Sequence, residues 1–203
     1  MTRRLLDYGK SAVLLECADL AEALSLVGTA RALPQVAEVV PGAQTLLLRL
    51  RRPLATADRE SLLVLPGSPP TDDPGQALRI PVVYDGDDLA EVAERTGLST
   101  DEVVATHTGQ SWTVGFCGFA PGFGYLVGEH DRLRVPRRPT PRTRVPAGAV
   151  GLADAWSGVY PRSGPGGWQL IGRTTATLWD LERQPPALLQ PGARVQFVVA
   201  DAP

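Results

Sequence analysis

Cysteine and histidine are scarce, two of each in 203 residues. Cys17 and Cys117 lie far apart and form no metal-ligand spacing, so they read as reduced, partly buried thiols. His107 and His130 are too few for a histidine-based metal site without carboxylate help. There is no Walker loop, no nucleophile elbow and no zinc spacing. No apolar run approaches the roughly 20 residues of a membrane helix. The arginines of "MTRRLLDYGK" are not followed by the apolar core of a signal peptide, so a cytoplasmic protein is expected. The formal net charge is -2, which points away from nucleic acid and from anionic membranes. Any catalysis must lean on backbone groups, arginines, carboxylates or hydroxyls.

The chain is long enough for one large domain or two small ones. "SAVLLEC" (11–17) reads as a strand, and the stretch after it as a helix with Leu20, Leu24 and Val27 on one face and Ala23 beside them. "VAEVV" and "TLLLRL" are strand candidates joined by the turn Pro41-Gly42, and "TADRESLLVL" is a short helix. "PGSPPTDDPGQ" (66–76) is breaker-rich and reads as a linker. The expected division is a small α+β domain over 1–75 and a second domain over 76–203. The second opens with the strand "LRIPVVYD". Two short helices follow: Asp88 stands three residues before Glu91 as a start signal, Gly97 marks the stop, and Ser99 and Glu102 have capping-box spacing. Beyond Gly128, short β-like runs between Pro/Gly clusters argue for a barrel or sandwich.

"GFCGFAPGFGYLVG" (115–128) combines five glycines with four aromatics and no charge. With "SGPGGWQLIGRT", it places unshielded backbone N–H groups beside aromatic platforms, where a carboxylate or phosphate can be held. The same pattern serves tight turns in a barrel whose aromatics fill the core, and the choice stays open. In "PRRPTPRTRVPAG", Arg137 and Arg138 read as a solvated loop. Arg142 and Arg144 precede a strand and are candidates to clamp an anion bidentately, as is Arg173. His107 ends the second short helix, where its protonated form would be favoured. It is either a cap or core histidine, or a proton-transfer or orienting residue. Asp154 and Asp180 fall at strand ends and read as turn formers.

Four segments in order, "HTGQSWTVGFCGFAPGFGYL", "PRTRVPAGAVGLA", "GVYP" and "GPGGWQLIGRT", resemble the family of the 5-oxoprolinase B component, also called allophanate hydrolase subunit 1, kinase A inhibitor-like, or carboxyltransferase domain subdomain C/D. The N-terminal strands and helix resemble that family's smaller domain. The resemblance implies an α+β fold: a small N-terminal α/β sandwich domain and a C-terminal cyclophilin-like β-barrel. It implies one member of a multi-subunit enzyme that hydrolyses 5-oxo-L-proline to L-glutamate. Its partners would be a homologous barrel protein (the 5-oxoprolinase C component, or allophanate hydrolase subunit 2) and a third protein, the 5-oxoprolinase A component. ATP, with Mg, would be co-substrate, and the chain would be inactive alone. The family pattern falls on His107, Gly118, Phe119, Pro121, Gly122, Phe123, Tyr125, Arg142, Pro146, Gly148, Tyr160, Pro165, Gly166, Gly167, Trp168 and Arg173. His107 and Arg142 are the expected catalytic pair, His107 positioning or protonating the activated oxygen. Arg144, Arg173 and the glycine-aromatic loops would bind the substrate anion. Ala149 stands where the family pattern has serine, and Gly164 where it often has Ser or Thr. Two other readings stay open. One is a urea carboxylase-type or allophanate hydrolase component, although the single Met1 leaves no biotinylation motif. The other is a non-enzymatic histidine-kinase inhibitor.

Overall fold

The computed structural model describes residues 3–68 and 77–201. The chain divides into two compact units, residues 1–74 and 75–203. Most of the breaker-rich stretch read as a linker lies outside the described residues.

The first unit holds β1 (Arg4–Asp7), β2 (Ala12–Glu16), α1 (Leu20–Arg31), β3 (Val36–Pro41), β4 (Thr45–Leu50) and α2 (Thr56–Leu63). Its strands form one antiparallel sheet in the order β1-β2-β4-β3. Side chains alternate across a strand, so Val13 and Leu15 point the same way, opposite Leu48 and Leu46 of the neighbouring strand. Ala23, Leu26 and Ala30 of α1 and Leu62 of α2 close over them. The helical face is therefore turned from the one read in the sequence: Leu20, Leu24 and Val27 are only partly buried. Small residues at 23 and 30 let the helix sit close to the sheet. The Asp19 carboxylate accepts from Glu22 N at 2.8 Å, and Glu22 accepts from Ala18 N at 2.6 Å, fixing the start of α1. The strand β1 lies in the segment weighed in the sequence only as a possible leader.

The second unit holds β5 (Leu78–Val82), α3 (Leu89–Thr96), α4 (Thr100–Thr108), β6 (Trp112–Cys117), β7 (Gly124–Gly128), β8 (Arg142–Val145), β9 (Ala149–Ala153), β10 (Trp156–Val159), β11 (Gly164–Gly166), β12 (Gln169–Arg173) and β13 (Arg194–Val199). Seven strands make one sheet in the order β12-β9-β10-β7-β6-β13-β5, and β8 pairs with β11 separately. Reciprocal bonds between Val83 and Arg173, at 2.9 and 2.8 Å, tie the two ends of the sheet and nearly close a barrel. Ile80, Val82, Val114, Leu126, Val150, Leu152, Ile171 and Phe197 fill its interior. The helix α3 packs against β12 and α4 against β13. The capping box at Ser99 and Glu102 is formed, and Gly97 ends α3 in the left-handed region at φ 69°. No described helix is long and apolar enough to cross a membrane.

All five residues of β9 are buried, because both faces of the strand are covered. Val150 and Leu152 face the barrel core, whereas Ala149 and Ala153 face a second core of Phe123, Val145, Tyr160, Trp168 and Leu170. The glycines of the strands make room for these rings. A Cβ on Gly158 would lie 2.9 Å from Trp168 Cζ3 and 3.0 Å from Phe123 Cζ, and one on Gly166 would run into the Tyr160 hydroxyl. Phe123, Tyr125, Tyr160 and Trp168 pack edge to face, with centroids 5.0–6.5 Å apart. At Gly166, within the glycine-aromatic text, and at Gly158 outside it, the missing Cβ makes room for a neighbouring ring.

Candidate functional site

A cleft of about 190 Å³ opens between three segments of the second unit: the loop after β5, the turn between β8 and β9, and β12. Asp85, Gly86, Asp87, Pro146, Ala149 and Arg173 line it, with Leu170 and Gly172 behind. Backbone bonds hold the three segments together. Gly86 N donates to Ile171 O at 3.3 Å, and Thr174 N donates to Gly148 O at 2.8 Å. Gly148 sits at φ 80°, and a Cβ there would run into the Thr174 carbonyl. The turn therefore requires glycine on both counts.

Two arginines named in the sequence reading stand at this cleft or on its acidic neighbours. Arg173 Nε donates to Asp85 Oδ2 at 2.8 Å, with both side chains about half exposed. Arg142 Nη2 donates to Asp88 Oδ1 at 2.8 Å and lies 3.7 Å from Asp87 Oδ2. Asp88 is 3% exposed; it also takes Arg138 Nη1 at 2.5 Å on the same oxygen and Leu170 N at 2.7 Å on the other. Burial opposes ionisation of Asp88. The hydrogen bonds from Arg142 and Leu170 N, with the charges of Arg142 and Arg138, outweigh it and hold the carboxyl below the usual range. The bond to Asp88 in turn raises the Arg142 pKa, against a smaller opposing effect of burial. Arg142 thus carries a fixed charge with one nitrogen committed to Asp88. Its Nη1 is buried and has no hydrogen-bond partner among the described residues, and the same holds for Arg138 Nε and Gln169 Oε1.

Three readings of the sequence change here. Asp88 does stand at the start of α3, but its carboxylate makes no cap bond and turns to the arginines and β12 instead. Arg138, read as solvated, is half-buried in that same ion-pair cluster. Arg137 is the solvated one, 3.8 Å from an exposed Asp154 carboxylate. Arg144 does not join Arg142 as a clamp. It lies two residues along an extended strand, is exposed, and donates to Ser163 Oγ at 3.1 Å. The loop "DGDD" (85–88) was missed as a whole. Its signal was an acid-rich turn directly after a strand.

His107 lies apart from the cleft lining and is wholly buried. Its Nδ1 is 2.7 Å from the Tyr84 hydroxyl and its Nε2 2.9 Å from Ser157 Oγ. Its ring stacks on Phe197 at 4.3 Å, and its carbonyl accepts from Trp112 Nε1 at 2.9 Å. Burial pushes its pKa down to about 3, so the ring is neutral at physiological pH. The helix-end effect that would favour its protonated form is overridden by desolvation. With both nitrogens bonded and no exposed surface, His107 occupies the place of a core histidine. Burial raises the Cys17 thiol to about 11, with the nearby Glu22 charge adding to the effect, and burial also raises Cys117, so neither is poised as a thiolate.

Phe123, Tyr125, Trp168 and Gly166 belong to the second core or its edge, and Gly118 abuts the Tyr125 ring. Gly167 is less crowded, its nearest contacts being Pro141 carbons at 3.7 Å. Phe119 and Pro121 are exposed in the loop before Phe123, and Gly122 there is buried against Leu178 and Trp179. None of these lines the cleft. Ala149, at the edge of the second core, does line it.

The second unit is thus a seven-stranded, nearly closed barrel with an arginine–carboxylate cleft at its joined ends, and a small antiparallel α/β unit precedes it in the chain. Residues 3–189 match the family of the carboxyltransferase domain, subdomain C and D, and the chain belongs to that family. It is 44% identical over 172 residues to the 5-oxoprolinase B component of Escherichia coli O157:H7, covering 82% of this chain and 79% of that protein. The crystal structure of TTHA0988 superposes with a TM-score of 0.79 at 39% identity, covering 95% of this chain and 41% of that one. The chain thus spans about two fifths of TTHA0988. The conserved uncharacterized protein PH0987 from Pyrococcus horikoshii superposes with a TM-score of 0.60 at 31% identity, and 98% of each chain is covered.

Proposed function

We propose that this chain is the B component of a cytoplasmic, ATP-dependent 5-oxoprolinase that hydrolyses 5-oxo-L-proline to L-glutamate. In this reading a homologous barrel protein, the C component, completes the site, and a third protein, the A component, joins them. The observation that carries the reading is the 44% identity to the B component of the Escherichia coli O157:H7 5-oxoprolinase across most of both chains. The cleft suits it in size and charge. At about 190 Å³ it takes a small ring but falls short of the roughly 300–1,000 Å³ of sites for larger ligands such as a nucleotide. In this reading ATP and its Mg are co-substrates of the assembled enzyme, and this cleft is the place of the small ring.

The residues of this chain have a more limited task. Arg173, held by Asp85 through Nε, offers its terminal nitrogens to the carboxylate of the substrate. Arg142 is fixed by Asp88 and keeps Nη1 for an anionic group once the partner reshapes the surface. Orientation of this kind supports catalysis by lowering the entropy lost on reaching the reactive geometry. His107 acts by shape: it ties α4 to Tyr84 after β5 and to Ser157 of β10, and moves no proton.

The test is complementation. A cell lacking its own B component, supplied with this chain and its co-encoded partners, is expected to grow on 5-oxoproline as sole nitrogen source. Growth equally good with the partners alone refutes the proposal.

A further inference from the structure

Among the described residues, four large apolar side chains of the second unit stand in solvent: Phe119 at 60%, Trp179 at 41%, Leu181 at 76% and Val199 at 63% exposure. Two of them sit on segments that touch. Gly122, in the Phe119 loop, approaches so closely that a Cβ there would lie 3.1 Å from both Trp179 Cβ and Leu178 O. Neither segment is loosely held. In the Phe119 loop, Gly118 N donates to Phe123 O at 3.2 Å and Phe123 N to Ala120 O at 3.0 Å. In the other, Leu188 N donates to Leu178 O at 2.9 Å and Asp180 N to Pro186 O at 3.0 Å, and Arg183 Nη2 reaches Thr177 O at 3.2 Å.

Phe119 also sits at φ 66°, a region that a bulky residue rarely adopts. A backbone held this way presents the ring outward while its edge still meets Phe123 and Tyr160, with centroids 5.3 and 6.0 Å away. Strain of this kind persists where surrounding structure enforces it, and it clusters at functional sites. Rigid aromatic residues in a patch rimmed by charge, here Asp180 and Arg183 at 4.0 Å, have the composition of binding hot spots. Neither Phe119 nor Trp179 lines the small-molecule cleft.

The relatives indicate what covers the patch. The same fold makes up 98% of PH0987 but 41% of TTHA0988, so it occurs both nearly alone and joined to a larger amount of other sequence. The further sequence that one relative carries on the same chain is the natural candidate for what this fold packs against. We infer that the Phe119–Trp179 patch docks a polypeptide of the kind that forms the rest of the TTHA0988 chain, with the Phe119 ring as its anchor. This rests on the multi-subunit reading above and assigns the face of this chain that the partner occupies.

The test uses the full chain and a purified protein from the same genome that is similar to the unmatched part of TTHA0988, with affinity measured by calorimetry. Phe119→Ser and Trp179→Ser are expected to weaken binding about 30-fold or more, as loss of a hot-spot side chain does. Phe119→Gly is expected to do the same while suiting the left-handed backbone, which separates lost contact from misfolding. Val64→Ser, at a 77% exposed position of the first unit, is the control and should bind as wild type. If wild type binds and the three patch variants bind equally well, the docking face is wrong while the multi-subunit reading stands. Equal weakening by Val64→Ser also overturns the assignment. If wild type does not bind at all, both the multi-subunit reading and the docking face fall.

Discussion

Neutral, buried His107 makes a pH prediction with a definite sign. Its pKa is about 3 in the folded chain against an ordinary value of 6.5. Between those values the unfolded chain binds a proton that the folded one refuses, so stability falls as pH falls through 6.5 and continues falling towards 3. The stabilisation is fully present above 6.5. The slope is about 1.4 kcal/mol per pH unit for one proton, so going from pH 7.5 to 5.0 removes about 2 kcal/mol. Asp88, whose folded pKa is lowered instead, loses its contribution only as pH drops below the ordinary 3.8. With a urea m-value of about 2 kcal/mol/M, the midpoint should move down by about 1 M. All four tryptophans lie in the second unit, at 112, 156, 168 and 179, so their fluorescence reports the unit that holds His107. His107→Gln should be less stable at neutral pH, because Tyr84, Ser157 or both lose a partner, and nearly flat between pH 7.5 and 5.0. A wild-type midpoint unchanged over that range, or an equal slope in His107→Gln, would refute the assignment of His107 as a neutral core residue.

Other substitutions probe the second core and the ion-pair cluster. Gly158→Ala should cost about 1–3 kcal/mol by overpacking against Trp168 and Phe123, read by the same denaturation curves. Asp88→Asn should destabilise by about 2–3 kcal/mol, because two half-buried guanidiniums lose their shared charge. In the reconstituted enzyme it should raise KM for 5-oxoproline more than it lowers kcat, through a misplaced Arg142. Arg142→Lys keeps the charge but cannot reach Asp88 and a ligand with separate nitrogens, and turnover should fall at least 10-fold. An Arg142→Lys enzyme with wild-type turnover removes that residue from the site.

Several features of the fold were legible in the sequence for physical reasons that the structure repeats. The Pro41-Gly42 turn, the Gly97 stop and the Ser99–Glu102 capping box are local devices, and each forms from residues a few positions apart. The Val- and Leu-rich run identified β2, and the apolar run beside the Pro41-Gly42 turn identified β4, for the same reason. The face of α1 was misread because Ala23 and Ala30 are small. Their place in the core comes from close approach to the sheet, which hydrophobicity alone does not reveal. The site was less legible still. Arg142, Asp88 and Leu170 are 28 or more positions apart and meet only through the barrel's closure. Asp88 carried a helix-start signal strong enough to mask its ion-pair role. His107 carried a catalytic residue type and a family pattern, while its burial is set by Phe197, Trp112 and Tyr84, all brought from other elements. The glycines beside aromatics permitted both an open ligand loop and a ring-filled core. Only the partner of each missing Cβ decides between them.

The central claim is that this chain is a working part of a 5-oxoprolinase, and 5-oxoproline-dependent ADP release tests it most directly. The co-encoded proteins are purified with and without this chain and assayed at saturating ATP. The account predicts release, with stoichiometric glutamate, only when the chain is present, and no release from the chain alone. Release by the other proteins without it, or a complete set that ignores 5-oxoproline, would contradict the claim.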